Sequence, residues 1–284
     1  MNVAQAWTTF WVEQGPQSRC LANAPREMLE PLDGHWHALA PTLPSRVLDL
    51  GCGAGVVGRE LLVANQQLRI TGIDIALIPP SGDPHLELIP WTPMESLPFD
   101  DASFEAAVSQ YGYEYGQSQE TALEVARVLS PGAPISFLIH HSDSPLVSGM
   151  RLHKKAIDGL CDSRICSAFI AGDANGLGEQ LAVLRHQCLG DPIVDQAEHG
   201  LRIHIRQDER RRHEIWNAVS QALEPERVML QALNLCCVGH DDVDYWLEPL
   251  NAGFALKPPG AIRMRSGEPI AWIIEGRRRP AVTH

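Results

Sequence analysis

The stretch "RVLDLGCGAGVVGREL", residues 46–61, constrains this chain more than any other. "VLDL" reads as a strand, three glycines in five positions read as a tight turn, and "VVGREL" resumes with helical spacing. A glycine turn after a strand lets the backbone approach a ligand closely, because a Cβ would collide or demand an unfavourable φ. The helix that follows offers free N–H groups and a positive dipole end to an anionic group. Two patterns share the same letters. Gly53, Gly55 and Gly58 spell the G-x-G-x-x-G of a dinucleotide site. Gly51, Gly53 and Gly55, preceded by Asp49, spell an acid followed by G-x-G-x-G.

Further strands and helices alternate behind this unit. "LRITGIDI" reads as a second strand running to Asp74, "HLELI" as a third, "SFEAAVS" as a fourth and "PISFLIHH" as a fifth. "SQETALEVARVLSPGA" is an amphipathic helix closed by Pro131-Gly132. Alternation at this spacing predicts a parallel, doubly wound sheet. Residues 7–40 read as helical and interrupted, with Pro16, Pro25 and Pro31. After Ser142 the pattern turns helical and charge-rich up to about His240. "DDVDYWLEPLNAGFAL" then reads as a helix ending at Asn251 or Gly253 and leading into a strand, and "PIAWIIEG" as a last strand. The expected organisation is an N-terminal helical segment (1–44), a core (45–141 and 241–284) and an inserted helical region (142–240). An insert of that size exceeds any ordinary loop. It is expected to form a lid over the carboxyl ends of the strands, with an interaction module as the alternative.

Composition narrows the function classes. The 284 residues carry a formal net charge of -12, which opposes broad binding to a polyanion, so no nucleic-acid partner is expected. The first ten residues hold no lysine or arginine, and no apolar run approaches a bilayer span; a cytoplasmic location without membrane contact is expected. Seven cysteines without a CxxC pair argue against a disulfide framework or a zinc knuckle, and no metal site is expected.

Asp74 suits both glycine patterns, since an acid ending the second strand can accept the two ribose hydroxyls in either case. Asp49 separates them. A pyrophosphate arriving at the first turn is anionic, whereas a carboxylate at the end of the first strand suits a ligand with a cationic amino group. "LPFDDASFEAAVSQ" and "ALEVARVLSPGAPISFLI" then follow in order. With these motifs the chain resembles the class I S-adenosylmethionine-dependent methyltransferases, closely over residues 45–141 and more loosely over 242–276. The resemblance implies an α/β fold: a doubly wound Rossmann-like methyltransferase sheet with a helical insertion after the fifth strand. It implies S-adenosyl-L-methionine as cofactor. It places Asp49, Gly51 and Gly53 around the methionine moiety, Asp74 on the ribose and Ile75 beside the adenine, with Cys52 also among the cofactor-binding residues. Met94 and Glu95 fall along the adenine edge, and Gln110 at the methionine end. Pro93 stands where many relatives have an aspartate, so adenine recognition passes to Glu95 or to a backbone carbonyl.

Methyl transfer from a sulfonium is an in-line displacement, in which the protein positions the nucleophile, excludes water and sometimes removes a proton. Candidates lie at the carboxyl ends of the strands. "SQYGYEYG" supplies Tyr111, Tyr113, Glu114 and Tyr115, and "IHHSDS" supplies His140, His141 and Asp143. His141, His140 and Tyr111 are the catalytic candidates. Alternation along the strand points the two histidines to opposite sides, so both cannot serve alike. A phenol of ordinary pKa, about 10, makes a better pocket wall than a base. Glu114 could bind a substrate amine or cap the next segment. His204 and His213 read as surface residues. The expected function is methyl transfer to a small molecule, with a homodimer possible. The alternatives are a cofactor-binding protein without transfer activity, acting by interaction, and a nicotinamide-dependent oxidoreductase. The last lacks a Tyr-x-x-x-Lys pair to complete it.

Overall fold

The computed structural model describes residues 1–15 and 24–280, so Pro16 lies outside the described residues. The chain divides into two compact units. One comprises Trp7–Val147 and Leu235–His284, and the other Met1–Ala6 and Ser148–Asn234.

The first unit is built on an open sheet. Its strands are β1 (Arg46–Leu50), β2 (Arg69–Ile73), β3 (Leu86–Ile89), β4 (Ala106–Gln110), β5 (Pro134–His140), β6 (Phe254–Leu256), β7 (Gly260–Arg263) and β8 (Pro269–Arg278). The order is β3-β2-β1-β4-β5-β8-β6, with β7 paired to β8 beside that path. The first five strands are parallel, and β8 runs antiparallel to β5, β6 and β7. Order reverses between β1 and β4, so the crevice at their carboxyl ends is where such a sheet receives a ligand. β1 reads "RVLDL" with only Arg46 exposed, the continuous burial of a central parallel strand.

With this sheet go α2 (Arg26–Leu39), α3 (Val56–Ala64), α4 (Gln119–Val128) and, from Trp7 onward, α1 (Val3–Gln14). Gly55 at φ 80° opens α3, and Ser118 caps α4 by accepting from the Thr121 amide. The core gathers Leu48, Leu50 and Ile73 from the first strands, Phe137 and Ile139 from β5, Val125 from α4, and Phe254 and Trp272 from the last strands. The "DDVDYWLEPLN" segment is not one continuous helix: Pro249 opens a 3₁₀ turn (Pro249–Ala252) after a five-residue helix (Val243–Leu247). β7 was not expected. It forms because "RSGEP" closes a hairpin in which Gly267 takes φ 96°.

The second unit is helical. α5 (Pro145–Leu160) enters it, α6 (Ser163–Ala171), α7 (Ala174–Gln187) and α8 (Pro192–His204) form its middle, and α9 (Glu209–Cys236) leaves it. Asp162, Asp173 and Asp191 each accept a backbone N–H at the start of α6, α7 and α8, which is why three short helices start where they do. Leu160, Phe169, Leu177, Leu181 and Leu201 fill its own core. His153 bridges Asp191 (2.9 Å) and Glu226 (3.0 Å). Among the described residues no helix is long and apolar enough to cross a membrane, and no three His, Cys, Asp or Glu side chains converge as a metal site.

Candidate active site

The site begins where β1 and β4 end. The Ser109 hydroxyl donates to the Leu50 carbonyl at 2.7 Å and accepts from the Tyr113 amide at 2.9 Å, tying the two strand ends together. Gly51 and Gly112 then meet backbone to backbone. A Cβ built on Gly51 would lie 2.7 Å from the Gly112 Cα, and one on Gly112 would lie 2.7 Å from the Leu50 oxygen. The glycine demanded at position 51 therefore comes first from the neighbouring loop.

Asp49 is fully buried, and neither carboxylate oxygen has a hydrogen-bond partner of normal geometry. Burial, reinforced by the Asp74 charge, pushes its carboxyl up to about 8; the nearby Gly58 amide and Arg59 pull the other way but do not compensate. Asp74 is better satisfied: one oxygen accepts from the Gly53 amide and the other from the Ala76 amide, each at 2.9 Å. Burial still raises its pKa, and each oxygen keeps a further lone pair. Ile75, the next residue, is 46% exposed. Cys52 is buried against Gly72, and burial drives its thiol well above the ordinary range, so it acts as packing and not as a nucleophile. Met94 and Glu95 both lie beside Gly116, with Glu95 exposed and Met94 half-buried.

Gln110 accepts through Oε1 from the indole N–H of Trp36, at 2.7 Å. Trp36 is fully buried on α2 and went unnoticed in the sequence, where only its apolar spacing marked it. Tyr111 follows at φ 58°, an outlier for a bulky side chain and a strain of the kind stored at functional sites. Its surroundings hold it there. The amide donates to the Leu138 carbonyl (2.8 Å), the hydroxyl to the Ile270 carbonyl (3.2 Å), and the ring stacks on His140 at 4.2 Å.

The two histidines part company as strand alternation requires. His140 turns to Glu114, whose Oε1 lies 2.6 Å from its Nδ1 and accepts its backbone N–H at 3.0 Å. Both side chains are buried, and Glu114 Oε2 has no hydrogen-bond partner. Tyr115 meets the imidazole edge-on at 6.4 Å. His141 instead stacks on Trp272 at 4.5 Å, and its Nδ1 accepts from the Asp143 amide at 3.1 Å. Burial lowers its pKa, so it is neutral at pH 7. Asp49, Gly51, Cys52, Gly53, Asp74, Ile75, Gln110 and Tyr111 thus converge at the ends of β1, β2 and β4, and His140 joins them from β5.

The residues fit S-adenosylmethionine. A buried carboxylate without a partner, Asp49, asks for a cationic amino group, and a second acid with spare lone pairs, Asp74, suits a diol. The family comparison points the same way. Residues 48–137 match the methyltransferase-domain family. A malonyl-[acyl-carrier protein] O-methyltransferase of Halorhodospira halophila is 30% identical over 128 residues, which are 42% of this chain and 40% of that protein. The match thus spans well under half of the curated relative. Among solved structures, a chain from the complex between the Haloferax volcanii Trm112 methyltransferase activator and the methyltransferase described with it aligns over 100% of both chains, at TM-score 0.52 and 13% identity. The 1,6-didemethyltoxoflavin-N1-methyltransferase of Burkholderia thailandensis aligns over 98% of this chain and 89% of its own, at TM-score 0.49 and 13% identity.

The sheet order and the glycine turn define a nucleotide-cofactor α/β fold of the Rossmann-like class. Over residues 48–137 the chain is similar to the methyltransferase-domain family, in keeping with its resemblance to the class I S-adenosylmethionine-dependent enzymes. Gly58, the last glycine of the dinucleotide pattern, packs α3 against Leu86 of β3; Asp49, two residues before Gly51, remains the feature that separates the two patterns.

Proposed function

We propose that this protein transfers a methyl group from S-adenosylmethionine to a small-molecule acceptor bearing a hydroxyl or N–H, with His140 as the base. The observation that carries the cofactor assignment is Asp49, buried at the glycine turn with no hydrogen bond of normal geometry to either oxygen. Asp49, Asp74 and the exposed Ile75 would hold the amino group, the ribose and the adenine respectively. When bound, the cofactor supplies an electrophilic methyl on a sulfonium. The chain's own work is orientation and proton removal. By accepting at Nδ1, Glu114 would keep the His140 proton there and leave Nε2 as acceptor, while Tyr111 and Tyr115 restrict the ring. Nε2 would take the acceptor's proton as the methyl is transferred and later return it to water.

This arrangement favours a neutral, protic acceptor over an already ionised carboxylate, which needs no base. The net charge of -12 favours a small molecule over nucleic acid. The helical unit, entered directly after β5, is proposed as a cover that selects the acceptor, on chain connectivity alone. Greater hydrogen-exchange protection of 148–234 with S-adenosylhomocysteine and acceptor supports that role; unchanged protection rejects it.

The testing experiment incubates the protein with methyl-labelled S-adenosylmethionine and a panel of phenols, alcohols, amines and carboxylic acids. Label should pass to a hydroxyl or amine, and His140→Gln should lower kcat by about 10²–10⁴-fold while cofactor affinity holds. Transfer to carboxylates alone, unaffected by His140→Gln, would remove the base from the mechanism.

A further inference from the structure

Helix α1 was expected to be an undistinguished part of the N-terminal helical segment, yet its aromatic face lies on the cofactor turn. Trp11 is 7% exposed and packs with Cys52 and Ala54 of the glycine turn and with Ala76 and Ile78 of the loop after β2. Those two segments flank Asp74. A Cβ built on Gly53 would lie 2.3 Å from Trp11 Cζ2 and 2.6 Å from Cη2, so the indole covers Gly53 directly. The helix is also pinned to the same loop by a side chain, since the Thr8 hydroxyl accepts from the Leu77 amide at 2.9 Å.

The aromatic surface continues toward the base. Trp7 stacks on Trp11 at 6.0 Å and 20°, and meets Tyr115 edge-on at 5.8 Å. Tyr115 meets His140 edge-on, and His140 stacks on Tyr111. Trp11, Trp7, Tyr115, His140 and Tyr111 thus form one unbroken line from the glycine turn to the proposed base. Aromatic faces attract a desolvated cation and shed water, which are the two demands of a sulfonium site.

We infer that α1 is a working wall of the cofactor site: Trp11 closes the glycine turn over bound cofactor, and Trp7 extends that wall to the acceptor side. The inference rests on the methyltransferase reading of the core. It requires that residues 7–14 shift for the cofactor to enter or leave.

S-adenosylhomocysteine is the probe, read by calorimetry and by stopped-flow release, with circular dichroism as a check on folding. Trp11→Ala should weaken binding by about tenfold or more and speed release through the lost apolar cover, whereas Trp11→Phe, which keeps a ring there, should stay within about threefold. In the wild type, hydrogen exchange across residues 7–14 should slow when S-adenosylhomocysteine binds. A folded Trp11→Ala protein that binds equally well, or more tightly, overturns the inference. Should Trp11→Ala fail to fold, the wild-type exchange decides: no gain of protection in 7–14 overturns it, and a gain supports it. A wild type that binds no S-adenosylhomocysteine at all defeats the reading of the core and this inference together. Loss confined to the variant leaves that reading standing and supports α1's part in the site.

Discussion

One carboxylate oxygen of Glu114 meets His140 twice, at its backbone N–H and at ring Nδ1. The residues are 26 apart in sequence: His140 ends β5, and Glu114 lies in the 3₁₀ turn (Tyr113–Gly116) that follows the adjacent strand β4. The pair therefore reports both the correct docking of those ends and the tautomer of the imidazole. Glu114→Ala leaves a buried ring N–H without an acceptor and should cost about 1–3 kcal/mol of stability in urea unfolding. Glu114→Gln should cost less, but nitrogen NMR of the imidazole should show the Nδ1-protonated form losing its dominance. An unchanged tautomer in Glu114→Gln would reduce Glu114 to packing.

Asp49 should couple cofactor binding to proton release. Without cofactor its carboxyl is raised to about 8, so at pH 7 it is mostly protonated. A cationic amino group beside it favours the ionised form, hence binding expels a proton below pH 8 and affinity climbs as pH rises toward 8. The climb is at most about tenfold per pH unit for one proton. Titrations of S-adenosylhomocysteine in buffers of different ionisation enthalpy measure the released proton directly, and Asp49→Asn should abolish it. Stability has the same origin. The folded pKa lies above the ordinary 3.8, so the ligand-free fold is most favoured below pH 4 on this account and loses that contribution as pH rises to 8.

The contact of Gly51 with Gly112 predicts that neither accepts even a methyl group. Gly112→Ala places Cβ 2.7 Å from the Leu50 oxygen and 2.9 Å from the Gly51 Cα, and backbone must move to admit it. A loss of about 1–3 kcal/mol is expected from overpacking, together with weaker S-adenosylhomocysteine binding. Chemical denaturation of Gly112→Ala with and without the ligand checks both.

In the helical unit, hydrogen bonds to Glu226 and Asp191 outweigh burial and raise His153 to about 9. A raised histidine stabilises fully below its unfolded pKa of 6.5 and ceases to do so as pH climbs through 9. His153 is 28% exposed, which limits the effect to about 1 kcal/mol. Thermal melts from pH 6.5 to 9.5 should fall for the wild type more than for His153→Gln; equal slopes would discount the bridge.

The parallel sheet and its glycine turn were legible because their signals are local: apolar strands, punctuating glycines, and an acid two residues before the first of them. β7 was not, since four residues with one buried side chain leave little pattern, although the "SGEP" turn signalled a hairpin. The candidate site divides in the same way. Asp49, Asp74 and Gln110 sit at strand ends that the sequence marks. Glu114 could be named but not paired with His140, because their contact depends on how two strands and a 3₁₀ turn (Tyr113–Gly116) dock. Trp11 and Trp36 carried no signal beyond apolar helical spacing, which ordinary core residues share. Their place beside Gly53 and Gln110 is purely tertiary.

The measurement that bears most directly on this account is a crystal structure of the protein grown with S-adenosylhomocysteine. The account predicts the ligand's amino group against Asp49, its ribose on Asp74 and its adenine beside Ile75, at the carboxyl ends of β1 and β2. Ligand density elsewhere on the molecule, with Asp49 still enclosed by protein atoms alone, would contradict it.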